Sequence, residues 1–223
     1  MTIRSLLLSA AAAAVVLVAC GDDGGTSGAM GQSSATPDCA PNDSNCLEDG
    51  LDAPVAVGAR LPVDVRITAK GVSSPKMTLE AARSDVLSVE GGALVGKSPG
   101  WSSILFVNEE GLVMDFLTLN VTPAERVELY RLTEAGGVEA SPLPAKIQLA
   151  AGDDFEIAVK AFSGATRLLG ELDATWKLDQ DIVTILDTGR PASRRLRVKT
   201  PGTATLTIEA GGFSKTIALE VLP

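Results

Sequence analysis

The chain has 223 residues with 19 basic side chains, 28 acidic ones and no histidine, for a formal net charge of −9. Without histidine no Ser-His or Cys-His nucleophile and no His-metal constellation can be assembled. The acidity is local, since residues 20–52 hold seven acids and no base, 53–123 seven and six, and 124–223 fourteen and twelve. The two later parts are therefore nearly neutral and carry no global field for nucleic acid or a membrane surface.

The first element is Arg4 followed by thirteen apolar or small residues from Leu6 to Val18, then Ala19, Cys20 and a run of Gly, Asp and Ser. A retained membrane span needs about 20 apolar residues, so the run reads as a cleaved targeting segment. Leu17-Val18-Ala19-Cys20 resembles the lipobox of a bacterial lipoprotein signal peptide. The resemblance implies cleavage after residue 19, lipid on Cys20 and a place in the bacterial cell envelope. The outer membrane is preferred, because Gly21 rather than Asp follows the cysteine. A plain secretory signal cut elsewhere is the competing reading.

Residues 20–52 follow as a Gly/Ser-rich acidic tract too poor in large apolar residues to fold, expected to act as a disordered tether. About 32 such residues would reach roughly 30 Å. With Cys20 assigned to lipid, Cys39 and Cys46 remain as a pair, expected to form a local disulfide around a turn-forming loop in an oxidising compartment. Two thiols without histidine make a zinc shell a poor alternative. Calcium is a further alternative at Asp38, Asp43, Glu48, Asp49 and Asp52, although the EF-hand spacing is absent.

From residue 53 the apolar period becomes two, as in Leu61-Pro62-Val63-Asp64-Val65-Arg66-Ile67 and Phe155-Glu156-Ile157-Ala158-Val159. Such alternation marks half-buried strands, and helix-compatible stretches such as Met77 to Arg83 are short. Landmarks recur about one hundred residues apart. Gly58 matches Gly152, Ser84-Asp85-Val86-Leu87 matches Gln180-Asp181-Ile182-Val183, and Ser98-Pro99-Gly100 matches Thr200-Pro201-Gly202. The sequence predicts an all-β chain of two tandem sandwiches, residues 53–123 and 124–223.

Within the second copy, the leading glycine, Trp176, the strand after Asp181, Pro201-Gly202-Thr203-Ala204-Thr205-Leu206 and the closing Ala218-Leu219-Glu220-Val221 resemble the bacterial immunoglobulin-like group 2 domain. The first copy is diverged, with Leu79 near the Trp176 position and Trp101 after its Pro-Gly. The resemblance implies an Ig-like sandwich used as a spacer, adhesin stalk or recognition module, without catalysis or cofactor.

Trp176 is expected between the sheets with Phe155, Phe162 and Leu206, and Trp101 is a candidate exposed contact beside Tyr130 or Phe116. Arg195, Arg197 and Lys199 fall on one face of a strand. They form either a ridge for an acidic polysaccharide, phosphate or protein, or a solvated face balanced by Asp153, Asp154, Asp179 and Asp181. The acidic doublets Asp153-Asp154 and Glu109-Glu110 leave a carboxylate-based glycosidase as the most distant reading. The expected function is a lipid-anchored binding or adhesion module for an envelope protein or polysaccharide. The alternative is a structural spacer with no free ligand.

Overall fold

The computed structural model describes residues 26–28, 31–37, 51–69, 76–132 and 139–223. Cys20, Cys39 and Cys46, with the lipobox and most of the acidic tract, lie outside the described residues.

The described chain is all-β. The strands are β1 (Thr26–Gly28), β2 (Gly31–Pro37), β3 (Val55–Ala56), β4 (Arg60–Ala69), β5 (Met77–Ala81), β6 (Leu87–Glu90), β7 (Ala93–Gly96), β8 (Gly100–Asn108) and β9 (Val113–Thr122) in the first sandwich. The second contains β10 (Arg126–Leu132), β11 (Lys146–Ala150), β12 (Asp154–Ser163), β13 (Thr166–Arg167), β14 (Ala174–Leu178), β15 (Val183–Asp187), β16 (Ser193–Val198), β17 (Gly202–Ala210) and β18 (Phe213–Leu222).

The two sandwiches share one topology. The first stacks a β1-β2-β4-β7-β6 sheet on a β3-β9-β8-β5 sheet, and the second a β10-β12-β16-β15 sheet, with β13 on β12, against a β11-β18-β17-β14 sheet. Strand pairs correspond in register as well: Leu105 faces Phe116 as Thr207 faces Thr216, and Leu79 faces Phe106 as Trp176 faces Ile208. Leu79 thus occupies the position of Trp176. Each copy closes its second sheet with a short parallel strand, β3 on β9 and β11 on β18.

This correspondence corrects the tether. Gly31–Pro37 pairs antiparallel with β4 from Gly31↔Ala69 to Pro37↔Val63, as β10 pairs with β12. The first sandwich therefore begins its sheet at Gly31, not at residue 53, and Thr26–Gly28 adds a hairpin arm to it. Composition could not reveal this, because backbone N–H and C=O groups pair at an open sheet edge whatever the side chains are. Met77–Ala81 is likewise a strand, half-buried on alternate residues, since pairing with β8 overrides its helix-compatible composition.

Alternation builds the cores as the period predicts. Ile104, Phe106, Leu119 and Val121 fill the first sandwich, and Ile157, Leu196, Leu206, Ile208 and Leu219 the second. Trp176 packs partly buried against the second core, which contains Phe155 and Leu206. Phe162 instead stacks on Tyr130, with ring centroids 6.3 Å apart, and lies under the Arg126 guanidinium. The Pro-Gly landmarks have a steric basis common to both copies. Gly100 and Gly202 adopt φ 144° and 150°, and a Cβ there would touch Val86 and Ile182 at 3.5 and 3.4 Å.

Candidate functional site

On β8 and β9, inward residues form the core and the remaining ones make an outward sheet face. Trp101 lies opposite Asn120, Ser103 opposite Thr118 and Leu105 opposite Phe116, with Glu80 of β5 beside Leu105. Trp101 is 61% exposed and Phe116 53%; Leu112 and Val113, at the turn joining the strands, are 60% and 53% exposed. Ser103 and Thr118 hydroxyls meet at 3.0 Å between the aromatic rows. Of the five large apolar residues strongly exposed among the described residues, four lie on this hairpin. Phe116 shares the face with Trp101, whereas Tyr130 belongs to the second sandwich.

The repeat shows that the fold does not require this face. Trp101, Leu105 and Phe116 correspond to Thr203, Thr207 and Thr216, positions where the second sandwich presents hydroxyls on the same β-ladder. Threonine suits an exposed strand surface without exposing large apolar area. Core residues repeat because packing demands them; the outward apolar residues do not, and the cost of solvating them is unrelated to forming the sandwich.

The basic run lies on the other sheet of the second sandwich. Leu196 and Val198 are buried while Arg195 and Arg197 point outward. Arg195 and Arg197 both donate to Asp154 of β12, the latter at 3.0 Å, and Lys199 donates to Asp181. The hydrogen bond from Arg195, then that from Arg197, hold the Asp154 carboxyl below its ordinary value against desolvation. At the equivalent places on β7 the first sandwich has Ala93 and Val95. The cations are thus specific to one copy and matched by carboxylates within it. The acidic doublets are engaged locally: Asp153 accepts the Ala150 N–H at 2.7 Å, and Glu109 pairs with Lys76 at 3.4 Å.

No family model and no curated protein matches the chain. Among solved structures it is similar to domains 4 and 5 of the S-layer protein SbsC, at 15% identity over 70% of this chain and 82% of that one, with a TM-score of 0.30. It is also similar to the Escherichia coli adhesin FdeC, at 13% identity over 85% of this chain and 63% of that one, TM-score 0.33. A third is InvD of Yersinia pseudotuberculosis, at 12% identity over 77% and 56%, TM-score 0.32. The chain spans only 23% of a longer SbsC structure. These are likenesses of fold.

Sequence reasoning singled out Trp101 and Phe116 but missed Leu105, Leu112 and Val113. The signal was present in the repeat itself: Trp101-Ser103-Leu105 stands against Thr203-Thr205-Thr207 once the copies are aligned at Pro-Gly.

Proposed function

We propose that the chain is a lipid-anchored, non-catalytic module of the bacterial envelope whose first sandwich presents the Trp101, Leu105 and Phe116 face to an envelope protein or polysaccharide. The contrast between the copies carries this reading, because the same sheet positions hold threonine where nothing need be bound. Cys20 is the proposed lipid attachment point, with the outer membrane the preferred site, and Cys39 and Cys46 the proposed disulfide of an oxidising compartment. The ridge of Arg195, Arg197 and Lys199 is the secondary candidate, for anionic groups able to displace Asp154 and Asp181.

Backbone bridges between the sandwiches favour a second reading, a spacer or assembly subunit with no free ligand. Photo-crosslinking in cells separates the two. A crosslinker at Ser103 should give a discrete adduct, and the triple variant W101T/L105T/F116T, which copies the second sandwich, should lose it while membrane fractionation is unchanged. Adduct formation that is equal in both chains, or absent from both, favours the spacer. Palmitate labelling tests the anchor, since Cys20→Ala should abolish both label and membrane partition; retained label would overturn it.

A further inference from the structure

The corner that leads into β4 in the first sandwich and into β12 in the second is built alike, bond for bond. In the first, Gly58 N–H donates to Gly96 O at 2.7 Å, Ala59 N–H to Ala56 O at 3.1 Å and Gly96 N–H to Ala59 O at 3.1 Å. In the second, Gly152 N–H donates to Val198 O at 3.2 Å, Asp153 N–H to Ala150 O at 3.1 Å and Val198 N–H to Asp153 O at 2.9 Å. One donor differs. The Ala56 N–H goes to the Leu169 carbonyl at 3.0 Å, across the domain boundary, whereas its counterpart Ala150 N–H goes to the side chain of Asp153 at 2.7 Å.

The segment that reaches the first corner runs between β13 and β14. Leu169 N–H donates to Pro54 O at 2.8 Å, and Arg60 and Glu171 exchange both backbone bonds at 3.0 and 2.8 Å. Side chains interlock with these bonds. Leu169, 3% exposed, belongs to the core of the first sandwich, while Ala56 and Ala59, fully buried, belong to that of the second. Gly170 closes the approach, because a Cβ on it would lie 2.9 Å from the Ala59 Cβ. Each core is thus completed by residues of the other.

We propose that the corner around Ala56 and Ala59 is a socket for the Leu168–Asp173 segment that fuses the two sandwiches into one cooperative unfolding unit, and that Asp153 closes the same socket at the far corner of the second sandwich. In the second copy the Asp153 carboxylate takes the Ala150 N–H, the donor equivalent to the one that the first copy gives to Leu169. Ala59→Asp imports the capping residue of the second copy, so the turn itself tolerates it; what it blocks is the approach of Gly170.

Hydrogen exchange by mass spectrometry on the full chain across a urea series tests this. Wild-type peptides over Ile104–Val107 and over Leu206–Ile208 should lose protection at one common midpoint. Ala59→Asp should split them into two midpoints and raise exchange in the first sandwich at least tenfold. Two midpoints in the wild type, or one in the variant, would overturn the proposal. Leu196→Ala, in the second core, gives a reading if Ala59→Asp does not fold. A coupled unit transmits its loss of protection to Ile104–Val107 at least tenfold, and unchanged protection there overturns the coupling.

Discussion

Replacing Gly170 with alanine brings together two costs that the structure allows to be separated. Gly170 has φ 91°, a region where a Cβ is disfavoured, and the added methyl would stand 2.9 Å from the Ala59 Cβ and 3.3 Å from the Arg60 carbonyl oxygen. The backbone term is about 1–2 kcal/mol and the crowding of a closed seam adds about 1–3 kcal/mol, so the sum is about 2–5 kcal/mol. At about 2–4 °C per kcal/mol for a chain of this size, thermal unfolding should shift down by roughly 4–20 °C. Gly212 supplies the control: its φ is 83°, and a Cβ there would have nothing within 4 Å. Gly212→Ala should therefore show the backbone term alone, a fall of about 2–8 °C. Circular dichroism melts of both variants measure the difference. Equal shifts would refute the claim that the seam is closed around Gly170.

Three further outcomes follow from the Asp154 ion pairs and from the edge ladders. A carboxylate whose folded pKa is depressed contributes stability that is complete above its unfolded pKa and is lost as pH falls through the folded one. Asp154, held down by Arg195 and then Arg197 from an ordinary value of 3.8, should make the urea midpoint fall in acid below about pH 4, and Asp154→Asn should remove part of that fall. At neutral pH the same variant frees both guanidiniums and should elute from a phosphate matrix at higher salt than the wild type; identical elution would count against an anion ridge. Amide exchange should also be faster in Gly31–Pro37 than in Arg126–Leu132, since the two strands hold equivalent ladder positions. The second buries Val127 and Leu129, and the first has the sequence Gly-Gln-Ser-Ser-Ala-Thr-Pro. Equal protection would mean that the ladder alone holds β2.

Much of the architecture was legible because strands of a half-solvated sandwich leave an alternating record. Leu61, Ile157, Leu196 and Leu206 fall on the buried phase of their strands, and Gly100 and Gly202 mark strand entrances whose φ of 144° and 150° disfavours any side chain. These are local rules, set by the pleat and by φ. The Trp101 face was half legible: the aromatic residues stand out, but placing Leu105 beside Phe116 needs the register.

Tertiary structure alone decided the rest. Gly31–Pro37 has a composition that cannot drive folding by burial, and it becomes a strand only because β4 offers unpaired backbone groups at that edge. Along the chain Arg195 and Arg197 read either as a ridge or as a face balanced by Asp153, Asp154, Asp179 and Asp181, and it is the pairing of β12 with β16 that brings both onto Asp154, over forty residues away in sequence. Ala56, Ala59 and Leu169 look like ordinary small and apolar residues; their role at the seam exists only where two domains meet. The sequence by itself determined which residues alternate, where the chain turns and that the unit is repeated, because those depend on near neighbours. Which edges are occupied, which charges are matched and which corner is open to a neighbour depend on groups brought together from a distance, and these only the folded structure decided.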